Sequence, residues 1–186
     1  DMLGELVEQV VKAGIKSLMI FGVPKTKDLL SSENYDANGI TQQAIKKIKA
    51  LAPELVVATD VCMCSFTPHG HCGILDGNQN VDNDKTLEIL QKTAVSHAQS
   101  GADIVAPSGM MDGMIIAMRE ALDSAEFKDV AIMSYSVKYA SAYYGPFRSA
   151  CDSSLKGDRK TYQMDYRNKK EAIREAIEDV EQGADF

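Results

Sequence analysis

The chain has no continuous apolar run of membrane-spanning length and no signal-like pattern over its first residues. It also lacks an excess of basic residues. Lys and Arg number 20 against 27 Asp and Glu, and the formal net charge of -7 argues against a nucleic-acid surface. Lys and Arg do gather between Lys156 and Lys170, but acidic residues are interspersed there. Cysteine is scarce, with four in 186 residues, and three of the four fall in one short stretch. Clustered thiols without a secretory segment point to a reducing, cytoplasmic location and favour metal binding over disulfides. The fourth, Cys151, stands alone and reads as an unremarkable loop thiol. What remains is ordinary for one globular domain with a substantial core: 45% hydrophobic and 25% charged.

The stretch Thr59–Gly77, TDVCMCSFTPHGHCGILDG, holds those three cysteines and two of the three histidines. If LVVATDVCMC is a strand, side chains two apart share a face, so Asp60, Cys62 and Cys64 project together. The Pro, Gly and His residues that follow read as a loop returning Cys72 to the same place. Three sulfurs suit a soft borderline cation such as Zn²⁺. They fill three tetrahedral positions and leave one open, the arrangement of catalytic rather than structural zinc. Closure by His69 or His71 would make the site structural, and three buried thiols would need no metal at all. Taken singly, each histidine reads as a satisfied loop residue, and Asp60 as a polar group at a strand end.

Helical spacing marks residues 2–13, with Leu3, Leu6, Val7, Val10 and Val11 in phase and Gly14 as the stop. SLMIFGV, residues 17–23, reads as a strand covered on both faces. After a polar loop, Ile40, Ala44, Ile48 and Leu51 share a helical face. ELVVATDVC is the next strand. Asp84 is placed to cap a helix running to Ser100, and residues 102–108 form a strand. Asp112 caps a helix over 113–124, and residues 130–138 make another strand. Asn168 then opens a last helix ended by Gly183. Strand–helix alternation of this kind specifies an α/β fold with a parallel sheet. QSGADIVAPS and EQGADF are near repeats, which makes Asp185 and Phe186 the first residues of a further strand. The expectation is a piece of a larger α/β domain, because four strands cannot close a barrel of about eight.

Lys138 is expected at the C-terminal end of its strand, in phase with Ser134 and Ser136. Nucleophilic attack there requires a free amine, hence a pKa lowered from about 10.4 by burial or a neighbouring cation. A lysine snorkelling at a strand end explains the position equally well. Residues 140–167 show little periodicity and read as a lid or binding loop with an apolar body of Tyr143, Tyr144 and Phe147. Arg148 and Arg159 are placed to clamp a carboxylate, or else are two solvated loop charges.

Together, DVCMCSFTPHGHCG, ADIVAPSGMMDG, SYSVKYASAYYGPFR, GDRKTYQ and EAIREAIEDVEQGAD resemble the porphobilinogen synthase (5-aminolevulinate dehydratase) family nearly end to end and in order. The resemblance implies a (β/α)8 TIM barrel, of which this chain covers about four central strand–helix units as a partial catalytic domain over residues 1–186. It implies the zinc-dependent condensation of two 5-aminolevulinate molecules, with loss of water, to porphobilinogen in tetrapyrrole and heme biosynthesis. Cys62, Cys64 and Cys72 are then ligands of catalytic zinc, and Lys138 is one of two active-site lysines. Arg148, Arg159 and Gln163 become substrate-side residues, and Asp60 an acidic residue beside the metal. Glu175 matches an allosteric Mg²⁺ position near a subunit boundary, although a glutamate on an exposed helical face needs no such role. Members lacking the triple cysteine do not use zinc in this way.

The family's second lysine, in a VKPG-like motif beyond GAD, is not in this sequence, nor is the N-terminal arm used in assembling the family's homo-octamer. The 186 residues alone are therefore expected to be inactive. Two other readings remain at this level. An aldolase-type Schiff-base lyase accounts for Lys138 but leaves the cysteines idle, and a non-catalytic zinc module requires a fourth protein ligand.

Overall fold

Four apolar runs separated by amphipathic helices become four parallel strands laid side by side in chain order. The computed structural model describes residues 2–150, 155 and 157–186, apart from the side chains of residues 147–149. Helix α1 (Met2–Lys12) precedes β1 (Ser17–Ile20), and α2 (Ile40–Leu51) leads into β2 (Val56–Val61). Helix α3 (Asn83–Gln99), β3 (Ile104–Pro107), α4 (Met114–Ser124) and β4 (Ala131–Ile132) follow. The short α5 (Tyr144–Ala150) and then α6 (Lys169–Glu181) complete the chain. The order β1-β2-β3-β4 never reverses. Doubly wound sheets turn back at a switch point, whereas uninterrupted winding is that of a barrel sector. Among the described residues no helix is long and apolar enough to cross a membrane.

Two apolar clusters hold the layers together. Leu90, Ile115, Met118 and Leu122 from α3 and α4 pack on Val61, Val105 and Ile132 of the sheet. Val7, Ile45, Ile48 and Val57 join α1 and α2 to the start of β2. The two GAD junctions are built alike. The Asp103 N–H donates to the Val57 carbonyl (3.0 Å) while its carboxylate accepts the Val57 N–H (2.7 Å). Asp185 does the same to Ile132, at 2.9 and 2.8 Å.

Several expectations shift. The first strand is shorter than 17–23 and half-exposed rather than covered, and among the described residues it pairs with β2 alone, at the edge of the sheet. On α2 the buried face is Thr41, Gln42, Ile45 and Ile48, while Ile40 and Leu51 are exposed. That rotation serves hydrogen bonding. Gln42 Nε2 donates to the Asn34 carbonyl (2.9 Å) and to Ser96 Oγ (3.0 Å), so a polar contact overrides the apolar stripe. The supposed loop before α2 contains a 3-10 turn, Ser32–Tyr35, that buries Asn34. Asp82, not Asp84, caps α3 by accepting the Lys85 N–H, and Gly113 in the left-handed region stands where Asp112 was expected to cap α4. The fourth strand is regular over only two residues, although Met133 and Tyr135 still donate to the Val105 and Pro107 carbonyls.

His97 of α3 is wholly buried, with Nδ1 3.0 Å from Thr59 Oγ1 on β2. Burial holds its pKa down to about 4, partly opposed by the nearby Asn34 backbone. A base depressed in the folded state is charged first in the unfolded chain, so stability is complete above the ordinary value of 6.5 and falls as pH drops toward 4. Urea unfolding is expected to lose about 3 kcal/mol over that interval relative to a His97→Gln variant, which has nothing to titrate there. Leu90→Ala, at a fully buried position, is expected to cost about 2–5 kcal/mol in the same assay, whereas Leu29→Ala at the surface should change stability by less than about 0.5 kcal/mol.

Candidate active site

Strand β2 ends at Val61, and the chain then turns rather than continuing extended, with Phe66 and Thr67 N–H groups both donating to the Met63 carbonyl (2.9 and 3.1 Å). Cys62 and Cys64 are thus brought together by a turn and not by strand parity, and the Cys64 N–H points at Cys62 Sγ (3.5 Å). Cys72 comes back through a loop pinned to the first turn of α3. Thr86 Oγ1 accepts the Ile74 N–H (2.9 Å), and a Cβ on Gly73 would lie 2.4 Å from that oxygen. The three sulfurs lie within 4.8 Å of one another, all buried and all free.

Each thiol has one sulfur hydrogen bond that raises its pKa and one that lowers it, the raising one being the larger for Cys62 and Cys72 and the lowering one for Cys64. Burial and the neighbouring sulfur charges then leave all three at about 12. A trio so placed fits a thiophilic cation, whose charge would offset the cost of ionising three buried sulfurs. Among the described residues no His, Asp or Glu joins the trio. His69 Nδ1 instead accepts the His71 N–H (3.1 Å), and His71 Nδ1 lies 3.0 Å from the Tyr162 hydroxyl. Burial keeps both imidazoles below their ordinary value.

Lys138 lies beyond the regular part of β4, and its Nζ donates to the Ser108 carbonyl (2.6 Å), 5.2 Å from the Tyr135 ring centre. Ser108 follows β3 directly, and its side chain lies near enough to Asp60 of β2 to oppose the rise of that carboxyl's pKa. Residues after three adjacent strands therefore meet at one end of the sheet. Burial alone would depress Lys138, but the anionic forms of Cys72, Cys62 and Asp60 outweigh it and hold the amine above its ordinary value. That is the reverse of the depression a free amine requires. Asp60 is itself raised, by burial first, and its Oδ1 is buried without a partner.

The segment after α5 folds back over these groups. Arg159 is almost fully buried and donates to the Gly70 carbonyl (2.9 Å), with Nε unpartnered. Its charge is felt by Cys72, the Asp60 carboxyl and His71. Gln163 is buried with Nε2 unpartnered and faces a cleft of about 470 Å³. Glu175 lies in another wall of that cleft with Asp112 and Glu171, its carboxyl raised by burial first and then by Glu178 and Asp112. The Arg148 side chain and Cys151 lie outside the described residues.

Ser108, Tyr162 and Asn34, whose Nδ2 donates to the Cys62 carbonyl (3.0 Å), were not singled out by sequence reasoning. Only Tyr162 carried a usable signal, three residues after Arg159 in a stretch without regular structure.

The family model described as delta-aminolevulinic acid dehydratase matches residues 1–186. A delta-aminolevulinic acid dehydratase of Halalkalibacterium halodurans is 54% identical over the whole of this chain and 57% of its own length. One from Archaeoglobus fulgidus is also 54% identical, over 58% of its length. A crystal structure of the Toxoplasma gondii enzyme, described as porphobilinogen synthase in complex with the reaction product porphobilinogen, superposes with a TM-score of 0.94 at 41% identity. That match covers 98% of this chain and 54% of the other. The chain therefore spans somewhat over half the length of these relatives. Its parallel α/β architecture is the corresponding sector of that fold. A match along its entire length, at more than half identity to such relatives, shows that the chain belongs to the delta-aminolevulinic acid dehydratase family.

Proposed function

We propose that these residues form part of a porphobilinogen synthase, which condenses two 5-aminolevulinate molecules with loss of water. The observation that carries the reading is the convergence of three buried free sulfurs, the Lys138 amine and the Arg159 guanidinium beyond the ends of β2, β3 and β4. In this reading the Lys138 nitrogen attacks the substrate ketone, a C=N bond forms, and the carbonyl oxygen departs as water. Asp60, near enough to Ser108 and Lys138 for both to act on its carboxyl, is assigned the exchange of the proton that the attacking amine gives up. Arg159, with Arg148 and Gln163 from the same lid, holds the carboxylate tail, and the unpartnered Arg159 Nε and Gln163 Nε2 are donors free for that work.

Cys62, Cys64 and Cys72 would hold zinc. When bound, it would supply a Lewis acid that orients and polarises the substrate. Glu175 is assigned the Mg²⁺ position in the acidic cleft wall, remote in role from the condensation. A subunit boundary there and assembly into a homo-octamer belong to the same proposal.

Formation of porphobilinogen from 5-aminolevulinate by the natural gene product carrying these residues is the direct test, and its absence in the presence of zinc would sink the reading. Borohydride added with 5-aminolevulinate should reduce the imine to a stable secondary amine on Lys138, seen as a mass increment on its peptide. Lys138→Met should abolish the adduct at that peptide. Because each metal ion must displace thiol protons, affinity for zinc or cobalt is expected to weaken on acidification, by up to about a thousandfold per pH unit if all three leave. Chelator competition at two pH values checks the slope, and Cys72→Ala should remove the thiolate-to-cobalt absorption at either.

A further inference from the structure

One short segment touches both halves of the site. Between Arg159 and Gln163 the chain makes a tight turn, with the Tyr162 and Gln163 N–H groups both donating to the Arg159 carbonyl (3.2 and 2.9 Å). The turn puts two side chains against the same piece of the cysteine loop. Arg159 donates to the Gly70 carbonyl, and the Tyr162 hydroxyl accepts the Cys72 N–H (3.4 Å) while bonding His71 Nδ1 (3.0 Å). The Tyr162 ring packs on the three sulfurs and meets the His71 ring edge-on. Gly70 leaves no room for slack, since a Cβ there would sit 2.8 Å from the Leu155 nitrogen.

Two residues further on, the same segment is fastened to the backbone around Lys138. The Met164 N–H donates to the Lys138 carbonyl (3.1 Å) and the Ala140 N–H to the Met164 carbonyl (2.9 Å), a parallel bridge between Tyr139 and Met164. Met164 is buried, so these bonds are shielded from water. Lys138 itself lies in a stretch without regular structure beyond β4. What fixes it relative to the sulfurs is its bond to Ser108 and this second tether.

We propose that residues 159–164 are a strap that sets the separation between the three sulfurs and the Lys138 amine, with Tyr162 as the positioning residue at its sulfur end. The inference deepens the condensation reading, which needs a substrate to span both groups, and it rests on that reading for its catalytic meaning. Its mechanical content is independent. Tyr162 gives a disturbance at Cys72 a direct route to Ala140 and Met164, beside the Arg159–Gly70 contact.

Amide hydrogen exchange on the purified protein tests this without turnover. In the metal-free protein Tyr162→Phe, which deletes only the hydroxyl, is expected to speed exchange at Cys72, Ala140 and Met164 by about tenfold or more while leaving the β2–β3 ladder unchanged. In the parent, zinc should slow the same three amides together. Cobalt-loaded Tyr162→Phe should keep its thiolate absorption but bind the metal about 10–100-fold more weakly, with kcat lowered more than KM is raised. Exchange at Ala140 and Met164 that is indifferent both to the hydroxyl and to zinc would overturn the strap. Failure of the parent to bind metal or form porphobilinogen would instead count against the functional reading, and the metal-free comparison would still decide the strap.

Discussion

Parallel pairing is the constraint from which the site follows. The register that sets Asp60 against Ala106 and Val61 against Pro107 makes Cys62 and Ser108 leave neighbouring strands side by side. Pairing of β3 with β4 then sends the chain toward Lys138 at the same end. In a parallel sheet every strand points the same way, so groups far apart in sequence arrive together without any contact designed between them. A slip of one residue between β2 and β3 would turn Asp60 away from Ser108 and separate the carboxyl from the amine.

Behind the sulfurs the packing is polar where a core would ordinarily be oily. Asn34, Gln42, Ser96, Thr59 and His97 are buried and joined pairwise by hydrogen bonds, and Asn34 reaches the Cys62 carbonyl. Apolar side chains could fill that space, but they would give the turn at Cys62 no directional hold. The chain thus accepts a desolvation cost to fix where β2 stops and the cysteine turn begins. In front, Arg159 and Tyr162 do the corresponding job on the Gly70–Cys72 side. The cysteine stretch is held from both directions, and its three sulfurs stay buried within one small volume.

The electrostatics depend on what the sulfurs carry. Metal-free, each thiol is pushed up to about 12, and Lys138 feels the anionic forms of Cys72, Cys62 and Asp60 more strongly than its own burial. A free amine and three unneutralised thiolates are therefore incompatible states of one site. A divalent cation held by the sulfurs would offset two of their three negative charges, so it would weaken the field of three thiolates on the ammonium without removing it.

The sequence by itself determined the alternation of strands and helices, the clustering of three thiols and the likeness of the two GAD junctions, because hydrophobic period and local residue spacing are properties of neighbouring residues. The motifs it shares with its relatives also carried the family. It misjudged the buried face of α2, the caps of α3 and α4, and the continuation of β2 to Cys64. In each case a partner distant in the chain, or a turn closed by backbone hydrogen bonds, won over local preference. Only the tertiary structure decided that Lys138 rests on Ser108, that Asp60 meets that same residue, and that Tyr162 touches Cys72 from ninety residues away. Those contacts are set by strand register and by the path of the returning loop, and neither leaves a periodic trace in the order of the amino acids.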